Sequence, residues 1–481
     1  MQAPSPPSLQ SKPRPDEFAR GLDPRVQEAV HANTARKVAA RRETLERLFG
    51  ENLTALRRHA GDIRQHVVEH LDDYLARFVH SARAAGWTLH RAADDRQACQ
   101  IVIALLKEAG ARRIVKGKTM VSEEIGLNAA LESAGFSVLE TDLGEFILQI
   151  DHDHPSHIVT PVIHKSLEDV AAIFEREKLG PASGSPEELA MRARARLRAE
   201  FERADAGISG VNFAVAESGR VCIVENEGNN RFCTSVPRLH IALMGIEKII
   251  PRDADLALLL KLLAVSSTGQ ALNVYTHFLR GARRPGEPDG PDAAHLVLVD
   301  NGRSRIAAGE FAPILRCIRC GACLNVCPVY RQATGHGYGS VYPGPVGAVL
   351  SPILRISDMM PRFSELPKAS SLCAACEEVC PVNIPIPELL LRLRRDLARR
   401  GLKMKGDPPF TPWRRLATRP MLWRLALGAL QVLGWRPAVL LGPAALRRWA
   451  HNHNLPPPPP PGESFRSWWA ARNKTNRSDR P

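Results

Sequence analysis

Seven of the chain's ten cysteines fall into two short groups, and each group ends in Cys-Pro. Cys317, Cys320, Cys323 and Cys327 precede Pro328 in CIRCGACLNVCP. Cys373, Cys376 and Cys380 precede Pro381 in LCAACEEVCP. No other feature constrains the fold as tightly. Thiols separated by two or three residues must converge on something that takes thiolates, and the chain around them must wrap it. The N-terminal MQAPSPPSLQSKPRPDEF has no apolar run of the kind a secretory leader carries. No stretch reaches 18 uncharged apolar residues. The nearest, LALGALQVLGW at 425–435 between Arg424 and Arg436, is too short to span a bilayer. A cytosolic location is therefore expected, and in a reducing compartment clustered cysteines act as metal ligands rather than disulfides.

The first group has the C-x₂-C-x₂-C-x₃-C-P spacing of bacterial ferredoxin-type iron–sulfur motifs. Two-residue gaps let a tight turn aim three thiolates at three irons of one cubane, and Gly321 can take the positive φ that such a turn needs. The fourth cysteine opens the next helix and points to a second cluster. By this geometry Cys317, Cys320, Cys323 and Cys380 hold one [4Fe-4S] cluster, and Cys327, Cys373 and Cys376 hold another. The second group is one thiol short, with Ser370 where a full repeat would place cysteine. A serine oxygen, water, a partner residue or a substrate could complete that cluster, or one iron could be missing. Spacing leaves these open. Zinc is disfavoured, because seven cysteines do not divide into two closed four-ligand sites.

The 481 residues suffice for two to four domains. Residues 1–18 are Pro- and Ser-rich and read as a disordered N-terminus. Residues 19–85 read as a helical segment, with apolar positions at helical spacing from Val26 to Val79. From 86 to 304, helix-like stretches (96–111, 123–135) alternate with apolar runs (113–117, 136–142, 210–218, 219–226, 295–301). This pattern argues for an α/β domain with a largely parallel sheet. A Gly/Pro/charge-rich insertion occupies 280–292. Residues 305–400 form a mainly α-helical ferredoxin-type two-cluster domain. Residues 401–481 form a basic helical and Pro-rich tail with six consecutive prolines at 456–461. Trp413, Trp423, Trp435 and Trp449 among its arginines suit peripheral membrane contact or docking on protein. The net charge of +14 permits an anionic partner without choosing one. No run of basic residues interleaved with aromatics supports nucleic-acid binding.

Other polar clusters qualify as candidates. DHDHPSHIVTPVIH (151–164) offers His152, His154, His157, His164, Asp151 and Asp153 as a metal site or a partner-facing loop. Glu225, Asn226, Glu227, Asn229, Asn230 and Arg231 follow a strand, where α/β folds place ligands. Lys116 and Lys118 could meet an anion at the start of a helix, or be solvated; Ser122 could cap that helix, with Glu123 and Glu124 in its first turn. Cys99, Cys222 and Cys233 read as buried structural thiols. There is neither a GxGxxG nor a Walker motif.

The cysteine module, in CIRCGACLNVCPVYRQATGHGYGSVYPGPVGAVLSP and SSLCAACEEVCPVNIPIPELL, resembles the lactate utilization protein B family. So do the upstream stretches KGKTMVSEEIGLN, ETDLGEFILQ, PSHIVTPVIHKS, VENEGNNRFCTSVPRLHIALMGIEKI and LVDNGRS. The resemblance implies an upstream domain of the sugar-phosphate-isomerase and CoA-transferase type of α/β fold. It implies the same division of the seven cysteines between two clusters. It also implies work with two companions, a cysteine-rich redox protein and a second lactate-utilization-domain protein, in converting L-lactate to pyruvate. The expected role is an electron-transfer subunit with no flavin motif of its own. Lewis-acid chemistry on the three-cysteine cluster and redox sensing are the alternatives.

Overall fold

The computed structural model describes residues 22–354, 363–402, 410–433 and Trp469. Asp23 caps the first helix, α1 (Pro24–Phe49), by accepting the Arg25 N–H at 2.9 Å, and Pro24 fits its first turn. Gly50, at φ +47°, ends it. α2 (Leu53–Glu69) and α3 (Leu71–Ala84) follow, separated at His70. The expected helical segment is thus made of three helices.

Next come β1 (Thr88–Ala92), α4 (Asp95–Glu108), β2 (Arg113–Lys116), α5 (Met120–Glu124), α6 (Leu127–Ser133), β3 (Ser137–Glu140), α7 (Leu143–Ile150), α8 (Leu167–Arg176) and α9 (Pro186–Glu202). Gly126, at φ +66°, divides α5 from α6, where the sequence suggested one helix. The chain continues through β4 (Ala206–Gly210), β5 (Phe213–Val215), β6 (Val221–Glu225), α10 (Asn229–Ser235), β7 (Leu239–Gly245), β8 (Ile249–Ile250), α11 (Asp253–Thr268), β9 (Tyr275–Leu279) and β10 (Ala293–Val299).

Six strands form an all-parallel sheet in the order β1-β10-β7-β4-β2-β3. Every residue of β4 and β7 is buried, as expected for strands covered on both faces. Ile241, Leu243, Val297 and Ile114 face α4 and α6, while Met244, Leu296 and Leu298 face Tyr74, Leu75 and Phe78 of α3. Each such side chain contributes roughly 1.5–3 kcal/mol on burial. The runs at 210–218 and 219–226 do not join this sheet. They pair antiparallel as β5 and β6 in a second sheet, ordered β8-β5-β6-β9, with Gly219 in the connecting turn.

The cysteine module follows: α12 (Arg303–Ala307), α13 (Ala322–Val326), α14 (Pro328–Ala333), α15 (Gly344–Leu354), α16 (Ala375–Glu378) and α17 (Ile386–Arg399). It shares one apolar core with Val30, Ala60, Phe213 and Leu259. α1 packs against α11, α13 and α14, so it joins the two halves of a single compact unit that ends at Leu402. Arg64, in α2, is fully buried. It donates to the carbonyls of Ile249 (2.7 Å), Leu315 (2.8 Å), Arg316 (3.2 Å) and Glu247, tying the second sheet to the approach to Cys317.

α18 (Phe410–Ala417) and α19 (Pro420–Leu433) belong to a second unit. Met421, Leu422 and Leu425 are exposed on α19, and Trp423 is half-buried. Among the described residues no helix is long and apolar enough to cross a membrane. Residues 1–18, Trp435, Trp449 and the six-proline run lie outside the described residues, as does the Trp413 side chain.

Candidate metal centre

The two cysteine loops follow the same backbone path. Arg319 and Gly321 have φ of +60° and +75°, and Leu372 and Ala374 have +55° and +65°. Left-handed residues on both sides of the Cys320 and Cys373 positions turn the chain around a shared interior. Space at Gly321 is tight as well: a Cβ there would lie 3.1 Å from His157 Cε1 and Val159 Cγ2. Gly321 and Ala374 then form the N-caps of α13 and α16. Cys327 is the N-cap of α14, with Pro328 in its first turn, and its sulfur accepts the Tyr330 N–H at 3.4 Å. The Ile384 N–H donates to Cys380 Sγ at 3.4 Å, and the Arg319 N–H to Cys317 Sγ at 3.4 Å. Backbone donors aimed at sulfur stabilise thiolate charge and suit thiolate-bound iron.

Cys323 feels Cys317, Cys320 and Cys380, and more weakly Cys376. Cys376 feels Cys327 and Cys373. Cys320, Cys327, Cys376 and Cys380 are buried, Cys317 and Cys323 half-buried, and Cys373 exposed. Burial pushes the Cys320 and Cys376 thiols up to about 12 and Cys380 to about 11. Cys373 is lowered instead, by the Ser371 hydroxyl and the Ala375 N–H.

Arginines surround the first of these groups. Arg57 donates to the Cys380 carbonyl at 2.7 and 2.9 Å, Arg41 to the Val379 carbonyl at 2.8 Å, and Arg316 to the Asn383 carbonyl at 3.1 Å. Arg319 lies 4.6 Å from the centre of the Tyr342 ring and 3.5 Å from Glu247. Burial raises the Glu247 carboxyl, but Arg303 at 2.6 Å and Arg319 override it and hold Glu247 down to about 2. The Cys327 side faces Tyr330 and Tyr338. None of these arginines or tyrosines stands out in the sequence, because their partners are distant along the chain.

The other candidates are distributed differently. Lys116 is fully buried rather than facing an anion at a helix start: it meets Glu140 at 2.7 Å, Ser122 at 3.0 Å and Glu123 at 3.5 Å. Ser122 is no cap. α5 begins two residues earlier, and the Ser122 hydroxyl donates to the Thr119 carbonyl. Glu124 instead binds Arg303 at 2.7 Å. Lys118 donates to the Val159 carbonyl at 3.0 Å. Glu145, which the sequence did not suggest, is buried beside Glu140, and burial and that neighbour raise its carboxyl well above the usual range.

In the histidine-rich segment, Asp153 and His164 (3.0 Å) come together with His336, close enough to share an ion, but Lys165 already lies 2.7 Å from Asp153 and Asp151 pairs with it at 2.6 Å. His157 is elsewhere, buried against Asn325 of α13 at 3.2 Å. His152 is exposed, and the His154 carbonyl faces His336 Nε2 at 2.9 Å. Glu225 accepts the Asn230 and Arg231 N–H groups and meets His277 at 2.6 Å. Asn226 bonds Gln270 and Val274, Glu227 accepts the Leu143 N–H, and Asn229 donates to Thr141. These residues tie β6 to its neighbours. Cys99, Cys222 and Cys233 are all buried.

Residues 75–299 match the family model described as LUD domain, and residues 313–384 match the 4Fe-4S dicluster domain. The uncharacterized electron transport protein YkgF of Escherichia coli (strain K12) is 42% identical over 93% of this chain and 94% of its own. Lactate utilization protein B of Shouchella clausii (strain KSM-K16) is 45% identical over 87% of this chain and 89% of its own. The chain belongs to the lactate utilization protein B family. A crystal structure of a DUF162 family protein from Deinococcus radiodurans aligns with 48% of this chain and 98% of its own, at 17% identity and a TM-score of 0.27. As a member of the lactate utilization protein B family with a dicluster domain, the chain is an iron–sulfur protein. Its thiol donors, the backbone N–H groups aimed at them and the left-handed turns that clear the loops fit such clusters.

Proposed function

We propose that this chain is the iron–sulfur electron-transfer subunit of a complex that oxidises L-lactate to pyruvate. Cys317, Cys320, Cys323 and Cys380 would hold one [4Fe-4S] cluster, and Cys327, Cys373 and Cys376 would hold the second. The observation that carries this reading is the crossed neighbourhood of the thiols. Cys380 lies with the first motif, while Cys327 lies with Cys373. When bound, each cluster takes up and releases one electron at a time.

The residues of this chain set the conditions for that transfer. Burial at Cys320 and Cys380 excludes water. Arg41 and Arg57 add positive charge beside the first cluster, and N–H donors at Arg319, Tyr330 and Ile384 steady the sulfurs. The exposed loop at Cys373 gives electrons a route to or from a partner. Oxidation of lactate releases two electrons and two protons, so two one-electron centres match its stoichiometry. The companions are a cysteine-rich redox protein and a second lactate-utilization-domain protein.

Anaerobic purification with iron and sulfide counts, followed by electron paramagnetic resonance on adding L-lactate, tests the role. Roughly eight irons, reduced by lactate only when both companions are present, is the expected result. Reduction in this protein alone would move the catalytic site onto this chain. Zinc in place of iron would end the reading.

A further inference from the structure

The second cysteine group lacks one thiol, and the position it lacks is occupied by a side chain with its own oxygen. We propose that Ser370 Oγ is the fourth protein ligand of the second cluster. This rests on the two-cluster reading and names a ligand that the cysteine count leaves unassigned.

The second cysteine loop repeats the first. CIRCGACLNVCP (317–328) and SSLCAACEEVCP (370–381) align without a gap and place Ser370 opposite Cys317. The backbones repeat as well. The residues before Cys320 and Cys373 are left-handed (Arg319 +60°, Leu372 +55°), and so are the residues after them (Gly321 +75°, Ala374 +65°). Leucine and alanine rarely adopt this conformation, and each costs roughly 1–2 kcal/mol there. A loop that keeps both without glycine is held to its shape. α13 and α16 start at equivalent residues, Ala322 and Ala375.

The decisive match is at the ligand atom. In the first loop the Arg319 N–H donates to Cys317 Sγ at 3.4 Å. In the second the Leu372 N–H donates to Ser370 Oγ at 3.2 Å. The same backbone donor, two residues on, holds sulfur in one loop and oxygen in the other. The serine oxygen is therefore turned into the loop, at the place the first ligand takes. Its neighbour Ser371 is exposed and bonds the Cys373 side chain, so it does not compete for the position. Arg394 of α17 fixes the segment from behind by donating to the carbonyls of Pro367 at 2.9 Å and Ser370 at 3.1 Å.

On ligation the Ser370 O–H bond breaks, the proton leaves to solvent and an Fe–O bond forms, with no change in electron count. An alkoxide is a harder donor than a thiolate and favours the ferric state. The second cluster should therefore have a lower potential than its all-cysteine counterpart.

The test compares wild type with Ser370→Ala, Ser370→Cys and Ser371→Ala, all full-length and anaerobic. It uses iron counts, Mössbauer spectra of ⁵⁷Fe-loaded protein and potentiometric titration. In Ser370→Ala the expected result is loss of about one iron of roughly eight on mild oxidation, as ferrous iron with release of one electron, with the spectrum of an oxidised three-iron cluster that ferrous iron added together with a one-electron reductant such as dithionite reverses. Ser370→Cys should keep the full iron content and raise the second cluster's potential, leaving the first unchanged. Ser371→Ala should match wild type. Ser370→Ala identical to wild type in iron content, spectrum and potential would overturn the ligand and leave water or a partner at that iron. A three-iron cluster in the wild type itself would overturn it too. Wild type with only four irons would instead refute the two-cluster reading. Ser370→Cys serves as the folding control, since it replaces one small side chain by another.

Discussion

Around Cys320 and Cys380 the protein supplies burial and a ring of arginines, namely Arg41, Arg57, Arg316 and Arg319. Around Cys373 it supplies an exposed loop, with Tyr330 and Tyr338 behind the adjacent Cys327. The backbone of the two loops is nearly the same, so the difference lies in what packs against them. The first loop and its approach lie against α1, α2 and the His157 segment of the α/β domain, with Arg64 of α2 donating to the Leu315 and Arg316 carbonyls just before Cys317. The second projects from α16 toward solvent. One fold motif thus gives a shielded set of thiols with four arginines around it and an accessible set that, among the described residues, has Arg394 alone on its loop. Electrons added beside arginines are stabilised, so the first cluster should have the higher potential and the second should face the exchange partner.

Three substitutions or treatments press on this contrast. Arg64→Met should have the largest effect. It strands four backbone carbonyls at the join between the second sheet and the Cys317 approach, at roughly 1–3 kcal/mol each before relaxation. A loss of about 3–5 kcal/mol, read as a lower urea midpoint, should come with selective loss of the first cluster. Equal loss of both clusters would show that the two cradles are not separately supported.

Chelator challenge should remove iron in two phases, the exposed Cys373 side first, with rates differing by about tenfold, or about 1.4 kcal/mol in barrier. A single phase would erase the contrast in access.

Arg57→Gln should have the smallest effect. It keeps a donor for the Cys380 carbonyl but removes the charge, and should lower the first cluster's potential by about 30 mV, a roughly threefold change for one electron, with the second unmoved. Equal shifts at both would mean that the arginines act on the module as a whole.

What the sequence made legible was local. The cysteine spacing, Gly321, the Cys-Pro helix start at α14 and the apolar run of β10 could all be read from neighbouring residues. β4 could not, because AGISG has two glycines and little strand character. Its Gly207 is there for contact: a Cβ would lie 1.7 Å from the Cys233 carbonyl oxygen. β7 was hidden by His240 in mid-strand. That imidazole is buried, bonds Ser209 of β4 at 2.8 Å, and is pushed down to about 3 by its burial, so it packs as a neutral residue. Lys116 looked like a surface cation because nothing nearby in sequence announced Glu140. Arg64 is one of three arginines in its helix, and only the tertiary fold decides which of them is fully buried. The β5–β6 runs were visible as strands, but their pairing into a second sheet was not, since partner choice is not local.

The most direct measurement is an anaerobic redox titration of Cys327→Ala beside wild type, followed by electron paramagnetic resonance with iron counts. Cys327 sits in the first motif by sequence and with Cys373 and Cys376 in space. The crossed arrangement requires the variant to keep roughly four irons, with the first cluster's signal and potential intact and the second cluster gone. Loss of the first cluster with the second retained, or loss of neither, would contradict it.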